Sequence, residues 1–181
     1  MIVLITVMLF SCTATDHKPE DFEIDRSYAT EEAFDIEVNF SDSAQQKIRM
    51  TALLVERYAN AEKPYTEYPK GINVWFFNEN GEVSSTITSN FAIQYDETKI
   101  TEARNDVIVI NEKGETLNTE HLIWDEKKAI IYTEEFVRIT TENESITGYG
   151  FEADQEFNSY SIRNIQGTIN LRDDEDSLKS R

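Results

Sequence analysis

The chain has 181 residues, enough for one continuous hydrophobic core and marginal for two. Hydrophobic residues make up 39%, with only 6 Gly and 3 Pro, which excludes a disordered or collagen-like body. The 35 acidic against 17 basic side chains leave a net charge of −18, so nucleic acid is excluded as a partner and an anionic lipid would have to be held by its hydrocarbon.

Ile2 to Phe10 form an apolar run broken only by Thr6. As a helix it would reach roughly 14 Å, about half a bilayer core, too short to span but suited to a signal peptide. It ends in Leu9-Phe10-Ser11-Cys12, a bacterial lipobox in outline, whose cysteine receives lipid. Phe10 is bulkier than that motif normally carries, and no Lys or Arg precedes Cys12, which points to a start codon further upstream. Cys12 is the only cysteine, so no internal disulfide and no cysteine-built metal site can form. The competing reading is a buried strand that ends in cysteine. The polar, acidic stretch from Thr13 to Thr30 favours a tether instead. The expected organisation is a signal peptide over 1–11, a lipidated tether over 12–33, a β body over 34–170 and an acidic tail over 171–181, where Arg172-Asp173-Asp174-Glu175-Asp176 reads as a solvated charge run.

Alternation dominates the body. In Phe34-Asp35-Ile36-Glu37-Val38-Asn39-Phe40 every second residue is apolar, the period of a strand with one wet face. Lys47 to Tyr58 reads as a second strand, and Pro64, Pro69 and Gly71 punctuate a loop. Ile72 to Phe77 is a third strand, closed by a turn at Asn78-Glu79-Asn80-Gly81. Only Ser43 to Gln46 suggests a short helix. The spacing therefore predicts an all-β fold.

The second half repeats. Phe91 to Lys99 aligns with Glu120 to Lys128 at a shift of 29 residues, and the same shift brings Phe151-Glu152-Ala153-Asp154 into frame. Return strands follow at Ile100 to Ile110, Ala129 to Thr140 and Ser159 to Ile169. A unit of paired, alternating strands cannot bury its apolar face alone and has to stack on its neighbours. Short antiparallel connections favour a half-open β-jellyroll of stacked hairpins over a right-handed solenoid.

The stretch from Ala103 to Asp125 resembles the LptC family. Val107-Ile108-Val109 is followed by a turn at Gly114 and then by Leu117-Asn118-Thr119-Glu120-His121-Leu122-Ile123-Trp124-Asp125. Ile131-Tyr132-Thr133, Val137-Arg138-Ile139, Gly148-Tyr149-Gly150-Phe151 and Gly167 fit the same series, which runs from about Phe34 to Ile169. The related LptA proteins share this strand repeat. The resemblance implies a β-jellyroll on the periplasmic side of the inner membrane. There it would accept lipopolysaccharide from the transporter of LptB, LptF and LptG and pass it to LptA by strand-edge addition, with acyl chains sliding through an apolar groove. Family members usually hang from one transmembrane helix, whereas here the lipobox at Cys12 stands in its place. The expected address is the periplasmic side of the inner membrane, held by a lipid anchor, with the outer membrane as the alternative.

The candidates to line the groove are Phe91, Ile93, Tyr95, Val107, Val109, Leu122, Trp124, Ile130, Val137 and Ile139, two apart within each strand. The alternative for each is an ordinary sandwich core without cargo, in a structural envelope lipoprotein. A hydrolase reading rests on carboxylate neighbours such as Glu134-Glu135, but with 35 acidic residues adjacency arises by chance. Ser43 and Ser145 lack a nucleophile elbow, and His121 reads as a surface position. Asp96, Asp125 and Asp154, equally spaced, suggest calcium less than they suggest turns. Asn143-Glu144-Ser145 matches a glycosylation sequon, without consequence in a bacterial lipoprotein. The reading is a lipid-handling protein that is not an enzyme and needs no cofactor.

Overall fold

The computed structural model describes residues 28–170, which form eleven strands and no helix. In chain order these are β1 Glu31–Asp42, β2 Gln45–Tyr58, β3 Tyr65–Tyr68, β4 Ile72–Phe77, β5 Val83–Ser89, β6 Phe91–Tyr95, β7 Ile100–Asn111, β8 Thr116–Asp125, β9 Ile130–Thr140, β10 Glu144–Asp154 and β11 Tyr160–Asn170. All pair antiparallel in one sheet, so the all-β jellyroll expected from alternation is what the chain forms.

The topology is a meander of long ribbons, each folded at a corner. β2 pairs with β4 through Ile48–Thr51 and with β3 through Glu56–Tyr58. Likewise β7 pairs with β6 through Ile100–Arg104 and with β5 through Ile108–Asn111. β3 and β4 thus act as one ribbon broken at Pro69 to Gly71, and β5 and β6 as one broken at Asn90. The first half of each bend lies in one layer and the second half in the other. Buried residues of both layers form a single core cluster, and Phe76 of β4 meets Trp124 of β8 edge to face at 5.1 Å.

Corner residues are chosen for backbone reasons. Asn105 and Asp106 sit at φ of +63° and +55°, a region that Asn and Asp tolerate better than most residues. The ladder between β7 and β8 shifts there, and Arg104, Asn105 and Asp106 turn outward. Gly71 has φ of +77°, and a Cβ at that position would lie 1.9 Å from the Ser89 carbonyl oxygen. Only glycine fits there.

The inward rows run across many strands. Met50, Val74, Ile87, Val109, Leu117 and Ile139 stand opposite one another in one layer. Thr101, Trp124, Ile131 and Ala153 do so in the other. Burying each large aliphatic contributes about 1.5–3 kcal/mol, so these rows are the main source of stability.

Several expectations are corrected. Ser43 to Gln46 is no helix; Ser43 and Ala44 have φ of +51° and +63° and make the two-residue turn between β1 and β2, as hairpin twist demands. The punctuated loop from Pro64 to Gly71 holds the short β3. β1 starts at Glu31, before Phe34, and β5 is a strand that the alternation did not reveal. The signal peptide, Cys12 and the acidic tail lie outside the described residues.

The repeated aspartates act in turns. Asp125 accepts the Lys128 backbone N–H at 3.1 Å and pairs with the Lys128 ammonium at 2.7 Å. Asp154 accepts three backbone N–H groups, from Glu156, Asn158 and Ser159. Asp96 differs: it pairs with Arg57 at 3.3 Å. The hydrogen bond from Lys128 holds the Asp125 carboxyl below its ordinary value.

Two outcomes follow from this packing. Leu117→Ala should lower unfolding free energy by about 2–5 kcal/mol, whereas Ile165→Ala on the exposed edge should change it by less than about 0.5 kcal/mol, both read from urea midpoints. A depressed carboxyl contributes stability that is complete above its unfolded value near pH 4 and is lost as pH falls through the folded value. Asp125→Asn should therefore flatten the decline of the urea midpoint below about pH 4; parallel acid limbs for variant and wild type would refute that assignment.

Candidate functional site

The two layers do not close evenly along their open side. Near β1 they leave a cleft of about 400 Å³ whose lining includes Phe40, Ile48, Phe76 and Trp124. Phe40 and Ile48 are cross-strand partners in β1 and β2, and Ile48 stands opposite Phe76 of β4. These three side chains share the inward face of one layer, and Trp124 faces them from the other. The floor is apolar because strand alternation delivers one apolar residue from each ribbon to the same end of the sandwich.

The rim has the opposite character. Asp42, Glu79, Glu126 and Glu156 surround the floor, with Lys47 as the one cation among the lining residues. The Glu126 carboxylate is held by Gln94 and Thr101, and the Trp124 indole N–H donates to the Gln155 side-chain oxygen at 3.4 Å. Such a ring repels phosphate and leaves burial of hydrocarbon as the favourable contact, at about 25 cal/mol per Å² of apolar area. That attraction has no preferred direction, so a chain can slide while it stays dry.

The ten groove candidates divide between two faces. Val107, Val109, Leu122, Val137 and Ile139 are fully buried inside the sandwich, and Trp124 at 8% exposure borders the cleft. Side chains this buried meet protein on every side, so the middle of the sandwich is filled rather than hollow. Ala92 belongs to the core cluster, so Phe91, Ile93 and Tyr95, which alternate with it, lie on the opposite face of β6, where Ile93 is nonetheless buried at 9% exposure. Ile130 alternates with the core residue Ile131 and also points away from the interior. The candidates two apart share a face in β6, β7 and β8, but the irregularity at the corner of β9 puts Ile130 on the opposite face from Val137 and Ile139. The phase of β6 could not be read because both of its faces carry apolar residues.

The outward face near β6 is an aromatic and acidic surface. Tyr58 stacks on Tyr65 with ring centroids 4.7 Å apart, and Tyr95 is the strand partner of Tyr65. Burial and the Glu56 carboxylate push the Tyr58 phenol up to about 12. Burial, reinforced by Glu56, raises the Glu67 carboxyl as well. Burial pushes Glu102 upward too, but Arg104 and His121 donate to it and leave it below the ordinary carboxylate value. His121 is thus one member of a surface ion network, 3.3 Å from Glu102. Glu134 pairs with Arg163, and Glu135 is exposed at the corner. Among the described residues no group of three or more His, Cys, Asp or Glu is placed to hold a metal ion.

Both lateral edges are open. β1 pairs only with β2, and β11 only with β10. The inward face of β1 extends the core outward with little cover: Val38 and Phe40, opposite Met50 and Ile48, are 48% and 58% exposed, and Phe34, beside the corner at Asp35 and opposite Leu54, is 64% exposed. On β11, Ile165 and Ile169 are each 58% exposed. Exposed apolar edges of this length are rare unless something pairs with them.

Sequence reasoning missed Phe40, Ile48 and Phe76 as cleft residues. The alternation of Phe34 to Phe40 and of Ile72 to Phe77 was visible, but which strand end would stay uncovered is set by the layers.

No helix among the described residues is long and apolar enough to cross a membrane. A search of curated proteins finds no match. The family model described as "LptC: Lipopolysaccharide-assembly, LptC-related" matches residues 1–165. That span takes in every strand from β1 to β10 and part of β11, with the cleft and its acidic rim inside it. The chain belongs to the LptC-related family of lipopolysaccharide-assembly proteins, and its role lies in lipopolysaccharide transport.

Proposed function

We propose that this protein is the membrane-anchored periplasmic bridge of lipopolysaccharide export. It receives cargo from the inner-membrane LptB, LptF and LptG transporter and passes it to LptA. The observation that carries this reading is the uncovered apolar face of β1, which leads from an unpaired strand edge straight to the cleft at Phe40, Ile48 and Phe76. A partner jellyroll that adds a strand to β1 would prolong this face and deliver acyl chains along it. β11, unpaired at the opposite end, would offer LptA the matching edge. The anionic rim supports the same assignment, since it turns phosphates away and admits only tails. Cys12 would carry the lipid that keeps the body at the inner membrane, with each buried methylene worth about 0.8 kcal/mol.

The packed centre favours a second reading, a structural envelope lipoprotein whose sandwich never opens and which binds only protein. Photo-crosslinking in living cells separates the two. A photoreactive residue at Phe40 should capture lipopolysaccharide, and one at Trp75, on the outer face of β4, should not. Capture at Trp75 alone, or export that continues normally after depletion of the protein, would leave the structural reading standing.

A further inference from the structure

Among the described residues one turn is built three times, with a different residue in its strained position the third time. Asn78 accepts the backbone N–H groups of Asn80 and Glu82 at 3.0 Å each, and the Gly81 N–H returns to the Asn78 carbonyl. Asn111 does the same with Lys113, Glu115 and Gly114. Asp154 repeats the pattern with Glu156 and Asn158 at 3.1 Å each, and the Phe157 N–H returns to the Asp154 carbonyl. The third residue after the anchor has φ of +80° at Gly81, +77° at Gly114 and +56° at Phe157. A bulky aromatic therefore holds a conformation in which the two sister turns use glycine. Such a residue persists there only when its surroundings fix it.

Those surroundings are the interior. The Phe157 ring is 0% exposed and packs against Phe151 at 5.7 Å and Tyr160 at 5.1 Å. The turn is fastened across to the other layer, with Asn111 donating to the Phe157 carbonyl at 3.0 Å and Ser85 to the Gln155 carbonyl at 2.9 Å. Gln155 and Glu156, the residues just before Phe157, belong to the wall of the cleft. The wall of the cleft thus includes two residues of a turn whose next side chain, Phe157, is buried in the core.

We propose that the Phe157 pocket is a hydrocarbon subsite continuous with the cleft, and that the turn from Gln155 to Asn158 is its gate. An alkyl chain that arrives from the β1 side displaces the ring, and the path toward β11 opens. The inference rests on the lipid-transport reading above and adds to it a closed position and the residue that closes it.

The test uses the full chain with Trp75→Phe, which leaves Trp124 in the cleft as the sole indole. Brominated dodecyl maltoside, below its micelle concentration, quenches that indole when its chain enters. Phe157→Gly keeps the backbone that the sister turns already adopt and removes the plug. It should quench at a concentration at least roughly fivefold lower than the parent chain. Asp154→Ala loosens the turn while Phe157 remains and should shift the midpoint in the same direction, which keeps the test valid if the glycine variant does not fold. If the parent chain quenches and both variants match it, the gate is wrong and the transport reading stands. If no chain quenches at any concentration below the micelle point, the cleft takes no alkyl chain and both fall.

Discussion

The bend in every long ribbon is the constraint on which the rest of this molecule depends. A flat antiparallel meander would expose one apolar face along its whole width. Folding each ribbon in half turns that face onto itself, so Val109 and Leu117 in one layer and Leu122 and Ile131 in the other bury in a common core. At several corners the bend uses backbone conformations that few residues accept. Asn105, Asp106, Gly71 and Gly150, all at positive φ, supply them along one line.

Function follows from what this folding leaves undone. A meander folded along one line has two lateral edges and one open side, and none of the three is sealed by the fold itself. The edges stay unpaired in β1 and β11, and the turn carrying Phe157 crosses between the layers on the open side. The same geometry that would be an aggregation hazard in an isolated protein suits one that passes apolar chains between neighbours. On the proposed reading, the carboxylate rim around a floor of Phe and Trp would hold the two halves of an amphiphile apart at the opening.

The filled centre gives the transport reading its mechanical content. With Val107, Leu117, Val137 and Ile139 wholly buried, the interior is as closely packed as any core. On the proposed transport reading, cargo would use the open side, where the cleft lies. Displacing a ring on a turn disturbs far fewer contacts than parting two sheets.

The amino-acid sequence alone determined the strand periodicity, the 29-residue repeat with Asp125 and Asp154 at its turns, and the family likeness of the stretch from Ala103 to Asp125. Each of these is local: a period of two, a turn residue and an ordered motif need no knowledge of distant neighbours. Tertiary structure decided which way Ile93 and Ile130 face and where the layers part. Ile93 and Ala92 are both apolar, so only the pairing of β6 between β3 and β7 selects the inward one. Phe157 looked like one more aromatic in the chain. Its positive φ, shared with Gly81 and Gly114, is a property of the folded chain and not of the letter.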